Sequence, residues 1–394
     1  MSRMSRLPAR LLTLILAAAR SLRKRAPLWA PTAARPVQRI LVAHYLLLGD
    51  TLLLAPLLAK LARQYPHAER FVLARPAVAP LFSGQPYGFT ALPYDPRDFS
   101  SFRLLLATGP FDLAFALGDN RYAWLARAAG ARWIVGFDGD RPAWKNWMVD
   151  APQPHATRPM AWADMAAALA EGAAPAVFRS GDWPTPAADQ KLPAGPYAVL
   201  HVGASTPLKL WPAERWRALA DFLRQRGITP VWSAGRDETA LVDKILVEPP
   251  DSEQGDLRYC GRLSLPQLWQ LLAGARLLVC PDTGIAHLGK LVGVPTLVLF
   301  GPGSPTIYGK GDFWRDAPYI GLAADPFPCR NQNLLFRREL DWVQRCGRDR
   351  AACASASAQW PCDPPTAPCM QAIGLAAVLT ACTALLPSPK TGPS

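Results

Sequence analysis

From residue 38 onward, short apolar runs alternate with stretches in which apolar residues recur at helical spacing. Such alternation is typical of parallel βαβ units. In the first half of the chain the predicted strands are 39–44, 71–74, 111–117 and 133–136, and the predicted helices are 51–64, 122–129 and 162–169. This half is therefore predicted to be an α/β domain with a parallel sheet.

The same alternation returns after a segment rich in Pro, Ala and polar residues. There the predicted strands are 197–202, 229–234, 275–280 and 296–300, and the predicted helices are 213–226, 239–247, 265–272, one from Thr283 through Leu291, and 370–385. The chain has 394 residues, more than one compact core normally holds. We predict two Rossmann-like domains with parallel sheets facing an interdomain cleft.

The composition divides the chain further, because its two ends differ from the α/β halves. The predicted parts are a basic N-terminal tail at 1–37, an N-terminal Rossmann-like domain at 38–180, a linker at 181–196, a C-terminal Rossmann-like domain at 197–325, and a Cys/Pro-rich segment with a closing helix at 326–394.

The segment Cys280-Pro-Asp-Thr-Gly-Ile-Ala-His287 joins a predicted buried strand to a helix. It places Asp282, Thr283 and Gly284 at the helix N-terminus, where free N–H groups and a partial positive charge suit a phosphate. Ligand groups in open α/β sheets gather beyond the carboxyl ends of the strands. The segment therefore predicts a nucleotide site. His287 alone is more typical of a structural histidine than of a metal ligand.

The loop after the strand at 197–202 carries a second set of phosphate-binding groups. Ser205 and Thr206 offer hydroxyls, Gly203 lets the backbone approach closely, and Lys209 offers a positive charge. Trp211 nearby is equally explained by packing at a helix start. After the next strand, Asp237 or Glu238 could hold a ribose hydroxyl or simply cap the helix that follows.

In the first half, Gly49-Asp50 follows the first strand. Asp50 could be a helix N-cap, which contributes about 0.5–2 kcal/mol. Alternatively it could be a general base, which contributes roughly 10²- to 10⁴-fold in rate. Asp138-Gly-Asp140 resembles a metal-binding Asp-x-Asp pair, but it follows no phosphate loop and no histidines cluster near it at metal spacing. We therefore expect no metal.

The formal net charge of +13 favours an anionic partner. No basic run with interleaved aromatics lines the predicted domains, which argues against nucleic acid. Leu11–Ala19 is apolar for nine residues, short of the about 20 that span a bilayer, and lacks a cleavage site after it. It is either part of a frayed tail or an amphipathic helix on an anionic membrane surface. We expect a cytoplasmic protein, peripheral on the inner membrane if that helix forms.

Six of the eight cysteines fall after residue 328, and none forms a Cys-x-x-Cys pair. Without an export signal, disulfides are not expected. The alternatives are reduced thiols, or a metal-binding or redox-sensitive cluster.

Taken in order, several of these motifs resemble the family 9 glycosyltransferases, the ADP-heptose:lipopolysaccharide heptosyltransferases. The matching motifs are Gly49-Asp50, Gly203-Ala-Ser205, Lys209 with Trp211-Pro212, Gly235 to Glu238, and Asp282-Thr-Gly-x-x-His287 with Phe300-Gly-Pro302. The resemblance covers roughly Arg39 to Leu386. It implies a GT-B fold, in which the domain at 38–180 binds the acceptor and the domain at 197–325 binds the nucleotide sugar. It also implies an inverting, metal-independent transfer from an ADP-sugar to a lipopolysaccharide core acceptor.

The resemblance also implies roles for individual residues. Asp50 would be the base, Asp282 would hold the donor sugar, and Glu238 would lie near the ribose. Lys209, Ser205 and the backbone of Thr283 and Gly284 would hold the diphosphate, and Thr206 and His287 would belong to the same donor-nucleotide site. The chain departs from the family at His44, where an Arg is usual, and in its Cys-rich insertion at 329–369. Rival hypotheses are a GT-B nucleotide-sugar epimerase and a non-catalytic nucleotide-sugar-binding protein.

Overall fold

The computed structural model describes residues 7–22, 36–246, 257–325, 327, 329–349, 351–353 and 366–386. These residues divide into two compact units. The first contains the described residues up to Ala187 together with Asn333–Val343, and the second contains Ala188–Gln332 and the described residues from Gln344 onward.

The first unit is built on a six-stranded parallel sheet in the order β3-β2-β1-β4-β5-β6. Its strands are β1 Arg39–Ala43, β2 Glu69–Ala74, β3 Phe89–Pro93, β4 Leu113–Ala116, β5 Trp133–Phe137 and β6 Ala151–Gln153. Its helices are α1 Leu7–Leu22, α2 Leu48–Leu52, α3 Ala55–Gln64, α4 Phe99–Thr108, α5 Arg121–Ala128 and α6 Trp162–Ala168. The strand order reverses between β1 and β4, which defines the switch point of the sheet.

The second unit repeats this topology with the order β12-β11-β10-β7-β8-β9, again all parallel. Its strands are β7 Tyr197–His201, β8 Thr229–Ser233, β9 Leu257–Arg258, β10 Leu277–Pro281, β11 Thr296–Phe300 and β12 Tyr319–Ala323. Its helices are α7 Ala213–Arg224, α8 Thr239–Ile245, α9 Leu265–Ala273, α10 Gly284–Val292, α11 Pro305–Tyr308, α12 Pro368–Gln371 and α13 Leu375–Leu385. The switch point lies between β7 and β10, and the predicted fold class is confirmed.

The predicted helix over 51–64 is wrong in one respect, because the structure has two helices there, α2 and α3. Pro56 lies in the first turn of α3, where its missing N–H costs nothing, but it could not lie inside one continuous helix. The edge strands β3, β6, β9 and β12 were not predicted. β6 and β9 have only three and two residues, too few to show a period.

Helix α1 shows that Leu7–Leu22 is not a frayed tail. Ala9 and Ala17 are buried in the hydrophobic core that includes α5. Leu7, Leu11, Leu14 and Ile15 of the same helix are 40–63% exposed. The helix is thus docked by its small residues and presents large apolar ones to solvent. Within the described part of the chain, no helix has both the length and the apolar character to cross a bilayer.

A small hairpin joins the first unit from late in the sequence. Its strands are β13 Leu334–Leu335 and β14 Arg338–Glu339, linked by Phe336 and Arg337. Arg338 is buried and donates hydrogen bonds to the carbonyls of Asp138 at 2.7 Å and Gly118 at 3.0 Å. These bonds fasten the hairpin beyond the ends of β4 and β5.

Candidate active site

The loops that follow β7 and β10 flank the switch point of the second sheet. β10 ends at Pro281, and α10 begins at Gly284 with Thr283 as its N-cap, whose hydroxyl accepts the Ile285 N–H at 3.3 Å. Asp282 is therefore fixed between a strand end and a helix start. The first N–H groups of α10 lack intrahelical acceptors and can bind an anion.

Lys209 and Asp282 meet across this switch point. The Lys209 ammonium donates to Asp282 Oδ2 at 2.8 Å and to the Asp282 carbonyl at 2.6 Å. Both predicted residues thus belong to one cluster, with the carboxylate nearly buried and the ammonium about one-fifth exposed. In the same loop, the Thr206 hydroxyl accepts the Leu208 N–H at 3.4 Å, while Ser205 is exposed.

Glu238 lies against the loop that follows β7. Its Oε2 accepts the Gly235 N–H at 2.8 Å, and a Cβ placed on Gly203 would lie 1.9 Å from that oxygen. Glu238 is the N-cap residue of α8, but its side chain makes no cap bond there. Its carboxylate instead closes the short turn Arg236–Glu238. Of the two interpretations, Glu238 thus occupies the N-cap position of α8, but its side chain bonds to the turn before that helix and not to the helix itself.

A Cβ on Gly303, in the turn after β11, would lie 2.3 Å from Asp282 Oδ2, so this turn packs directly on Asp282. Sequence reasoning gave Gly303 no role. Its only signal was its place in Phe300-Gly-Pro-Gly303.

Trp211 is buried, packs edge-to-face on Trp216, and its indole N–H donates to the Ile373 carbonyl at 2.9 Å. These contacts are those of a packing residue.

His287 is on the buried face of α10, only 4% exposed. Burial, with smaller contributions from Lys290 and Lys209, holds the pKa of His287 well below its usual value, so the ring is neutral at pH 7. Its Nδ1 has no hydrogen-bond partner among the described residues. The ring of His287 therefore cannot supply positive charge.

Asp50 is in the first turn of α2, following β1 of the first sheet. The N-cap residue of this helix is Leu47, so the interpretation of Asp50 as an N-cap is wrong. Gly49 and Thr51 on either side are buried, whereas Asp50 is half-buried. Asp50 therefore lies in the segment that follows the carboxyl end of β1, a strand that borders the switch point of its sheet.

His44 is buried in the loop after β1 and accepts the Leu46 N–H on Nδ1 at 3.2 Å. Burial and the neighbouring Arg75 lower the pKa of His44 to about 3. The ring is neutral at physiological pH. It cannot replace a charged Arg as a ligand for an anionic acceptor, so positive charge at this end of the sheet must come from other residues.

The Asp138-Gly-Asp140 pair is part of the hairpin attachment. Asp140 is buried, lies 3.1 Å from the Lys145 ammonium and 3.7 Å from the Arg338 guanidinium, and accepts the Asn120 N–H at 2.8 Å. Two cations and an amide thus surround the carboxylate, which suits a structural ion-pair network.

Seven cysteines lie in the described residues, and all are free thiols. Cys329 and Cys346 are hydrogen-bonded, and Cys353 is close enough to contribute to the raised pKa of Cys329. Burial, followed by the neighbouring Cys329, Cys346 and Cys353, raises the pKa of Cys369 to about 12. Within the described ranges no three His, Cys, Asp or Glu residues are arranged to hold a metal ion, and Cys362 lies outside those ranges.

Sequence comparison finds a protein family and a similar protein that match this chain. The family model described as glycosyltransferase family 9 (heptosyltransferase) matches residues 101–330. Lipopolysaccharide heptosyltransferase 1 of Pseudomonas aeruginosa is 27% identical over 330 residues, which cover 76% of this chain and 88% of that protein.

Solved structures share the fold. The structure of the E. coli ADP-heptose lps heptosyltransferase II has a TM-score of 0.63 at 18% identity, covering 88% of this chain and 98% of that one. The iron-containing dodecameric glycosyltransferase TibC from enterotoxigenic E. coli has a TM-score of 0.53 at 15% identity, covering 89% of this chain and 76% of that one.

Proposed function

Since the chain belongs to glycosyltransferase family 9, the heptosyltransferases, we propose that it moves a heptose from ADP-heptose onto a lipopolysaccharide core acceptor with inversion. The relative from Pseudomonas aeruginosa, a lipopolysaccharide heptosyltransferase, supports the sugar and the acceptor. The observation that carries the chemistry is the Lys209–Asp282 contact beside the N-terminus of α10.

The donor nucleotide sugar is bound by residues of the second unit. Lys209, the hydroxyls of Ser205 and Thr206, and the N–H groups of Thr283 and Gly284 bind the diphosphate. Asp282 accepts hydrogen bonds from the heptose, and Glu238 from the ribose. His287 belongs to the same donor-nucleotide site as a neutral group. As the leaving group departs, the electron pair of the broken C1–O bond stays on a β-phosphate oxygen. The positive charge of Lys209 and of the N-terminus of α10 stabilises that oxygen.

On the acceptor side, Asp50 is the base. The acceptor hydroxyl gives its proton to the Asp50 carboxylate while its oxygen forms the new bond to C1. One displacement inverts the anomeric centre, so no second carboxylate is needed as a nucleophile. Asp50 lies in the first turn of α2.

Product analysis of the full chain with ADP-heptose and a heptose-deficient lipopolysaccharide core tests this function. We expect ADP release, a mass gain of one heptose on the acceptor and an inverted anomeric configuration by NMR. A nucleotide-sugar epimerase would convert the donor with no acceptor present. A non-catalytic binding protein would bind ADP-heptose and release no ADP.

A Gly203→Ala substitution is expected to weaken ADP binding as much as Glu238→Gln does. The new Cβ would occupy the place of the Glu238 carboxylate, and this carboxylate is the mobile end of a flexible side chain, so it moves while the fold is kept. Calorimetry with ADP and a melting curve check this. Gly374→Ala, whose Cβ would meet nothing within 4 Å, is the control. A Gly203→Ala variant with wild-type affinity would remove Glu238 from the nucleotide site.

We propose that transfer needs no metal, because the positive charge of Lys209 and α10 can neutralise the diphosphate. Activity is expected to persist in EDTA. Since TibC is an iron-containing protein, metal content should be measured on the same sample before and after chelation. Loss of activity on chelation that Mg²⁺ or Mn²⁺ restores would contradict the proposal. Iron that chelation removes without loss of activity would show that transfer does not need it.

We also propose that α1 holds the protein on the cytoplasmic face of the inner membrane. The Leu11→Ser/Ile15→Ser double variant is expected to bind anionic phosphatidylglycerol vesicles about tenfold more weakly, because two side chains that enter the bilayer interface become polar. Both are more than half exposed, so the fold should not change. Truncation is a poorer test, because it would remove the buried Ala9 and Ala17 as well.

Co-sedimentation measures vesicle binding, and Leu104→Ser is the control. Leu104 is 46% exposed on α4, in the same unit but outside α1. Equal binding by the double variant and the wild type at low salt would show that α1 does not contact the membrane.

A further inference from the structure

A cavity of about 610 Å³ lies in the first unit, at the switch point of its sheet. The loops after β1 and β4 line it through Tyr45 and Asp119. Two elements outside the βαβ pattern also line it, namely α1 through Arg10 and the β13–β14 hairpin through Phe336 and Arg337. In an open α/β sheet, this is the position where ligands bind.

The charge of the cavity is positive. Its lining contains four arginines and one carboxylate, Asp119. Asp119 is already paired with Arg121 at 2.7 Å and with Lys145 at 3.3 Å. Although burial tends to raise it, the hydrogen bonds from Arg121 keep the pKa of Asp119 below its usual value. Since the one carboxylate is already paired, the lining has a net positive charge, which suits an anionic ligand.

Two of the four arginines are available to a ligand. Arg75 is committed, because it donates to the carbonyls of Leu46 at 2.8 Å and Tyr45 at 3.2 Å. Arg10 and Arg337 are exposed and form no ion pair within the described part of the chain. They lie on two different walls of the cavity, one on α1 and one on the β13–β14 hairpin.

Six aromatic residues, together with leucines and other small or apolar residues, form the rest of the lining. Tyr45 and Tyr94 are in edge-to-face contact at 6.1 Å, and Trp124 and Trp144 at 5.9 Å. Burial raises the pKa of Tyr122 to about 12, so its hydroxyl stays protonated and can both donate and accept hydrogen bonds. Flat rings beside hydroxyl groups suit the apolar faces and hydroxyls of sugar rings.

The backbone of the hairpin gives independent support. Phe336 and Arg337 form its two-residue loop, and both have positive φ, 47° and 67°. Such loops favour Asn and Gly, because other side chains rarely adopt this conformation. The chain keeps a Phe and an Arg there, and both line the cavity. Unfavourable backbone conformations of this kind concentrate at functional sites.

We propose that this cavity binds the acidic head group of the acceptor, a saccharide with phosphate or carboxylate groups, and that Arg10 and Arg337 hold the acidic group. This rests on the proposed function, because that function supplies a lipopolysaccharide acceptor. Leu14 of α1 lines the cavity and is 40% exposed. Leu11 on the same helix is 52% exposed. The saccharide is therefore carried by a lipid rather than free.

The test is calorimetry of the full chain with a deacylated, phosphorylated lipopolysaccharide core saccharide. Arg10→Gln and Arg337→Gln are each expected to raise Kd about tenfold, the usual cost of one charge-assisted hydrogen bond. Arg20→Gln on the same helix α1 does not line the cavity and should leave Kd unchanged. The dephosphorylated saccharide should bind weakly to every variant. Equal Kd values for wild type, Arg10→Gln and Arg337→Gln would overturn the proposal.

Arg337→Gly separates binding from folding. Glycine adopts a positive φ without strain, so this variant should melt at the same or a higher temperature than wild type while it binds the saccharide more weakly. Wild-type affinity in this stable variant would also overturn the proposal.

Acylated lipopolysaccharide in vesicles distinguishes the two sources of the head group. It should bind more tightly than the deacylated saccharide, and Leu11→Ser/Ile15→Ser should remove only that gain. An acylated form that binds no better would overturn the lipid-borne source. None of these measurements needs turnover, so a failure of heptose transfer with binding that depends on both arginines would reject the proposed function and keep the saccharide site.

Discussion

Asp50→Asn is expected to lower kcat by about 10²-fold or more with little change in ADP affinity. Asn has the shape of Asp but cannot accept the acceptor proton, so the loss falls on the chemical step. Asp50 is not the N-cap of α2, so lost capping cannot account for a change in rate. Steady-state kinetics with varied acceptor, together with calorimetry of ADP, measures both quantities.

Asp98→Asn is the matched control for this variant. Asp98 is a true N-cap in the same unit, and its carboxylate accepts the Ser100 N–H at 2.9 Å. Since Asn caps nearly as well as Asp, kcat and stability should both be kept. Wild-type turnover in Asp50→Asn would remove Asp50 from the mechanism.

Lys209→Ala is expected to weaken ADP binding roughly ten- to a hundredfold, because a charge-assisted hydrogen bond contributes about 1.5–3 kcal/mol. Part of the effect should come from Asp282, whose nearly buried carboxylate then lacks its cation and repels the diphosphate. Lys209→Ala/Asp282→Asn should therefore bind ADP more tightly than Lys209→Ala, but less tightly than wild type. Calorimetry on the three proteins shows both contributions.

Lys244→Ala controls for the loss of one positive charge in the same unit. Lys244 is exposed on α8 and has no place in the proposed site, so ADP affinity should not change. An unchanged ADP affinity in Lys209→Ala would place Lys209 outside the nucleotide site.

The sheet and the phosphate-binding loops could be predicted because their signals are local. β10, the turn at Asp282 and α10 follow one another within 16 residues, 277–292, and each has its own pattern. Lys209 could be proposed from its loop alone. Its contact with Asp282 joins residues 73 positions apart and follows from the strand order, which places β7 beside β10.

The cavity of the first unit could not be predicted, because two of its walls have weak sequence signals. β13 and β14 have two residues each, and the anchor of their hairpin, Arg338, bonds to Asp138 at a separation of 200 residues. α1 is rich in Arg and Leu on its exposed side, which suggested either a tail or a surface helix. Its docking depends on Ala9 and Ala17, which carry little hydrophobic signal.

The hairpin also limits how this enzyme can be divided or recombined. The chain passes between the units at residues 187/188, 332/333 and 343/344, so the first unit is not a contiguous piece of sequence. A fragment that ends at Ala187 would leave Asp140 without Arg338 and the Gly118 carbonyl without its donor. If homologous genes exchanged their N-terminal halves at that boundary, each half would be combined with a hairpin that evolved with a different N-terminal half. The two halves of the gene are therefore expected to have been inherited together, rather than shuffled as independent modules.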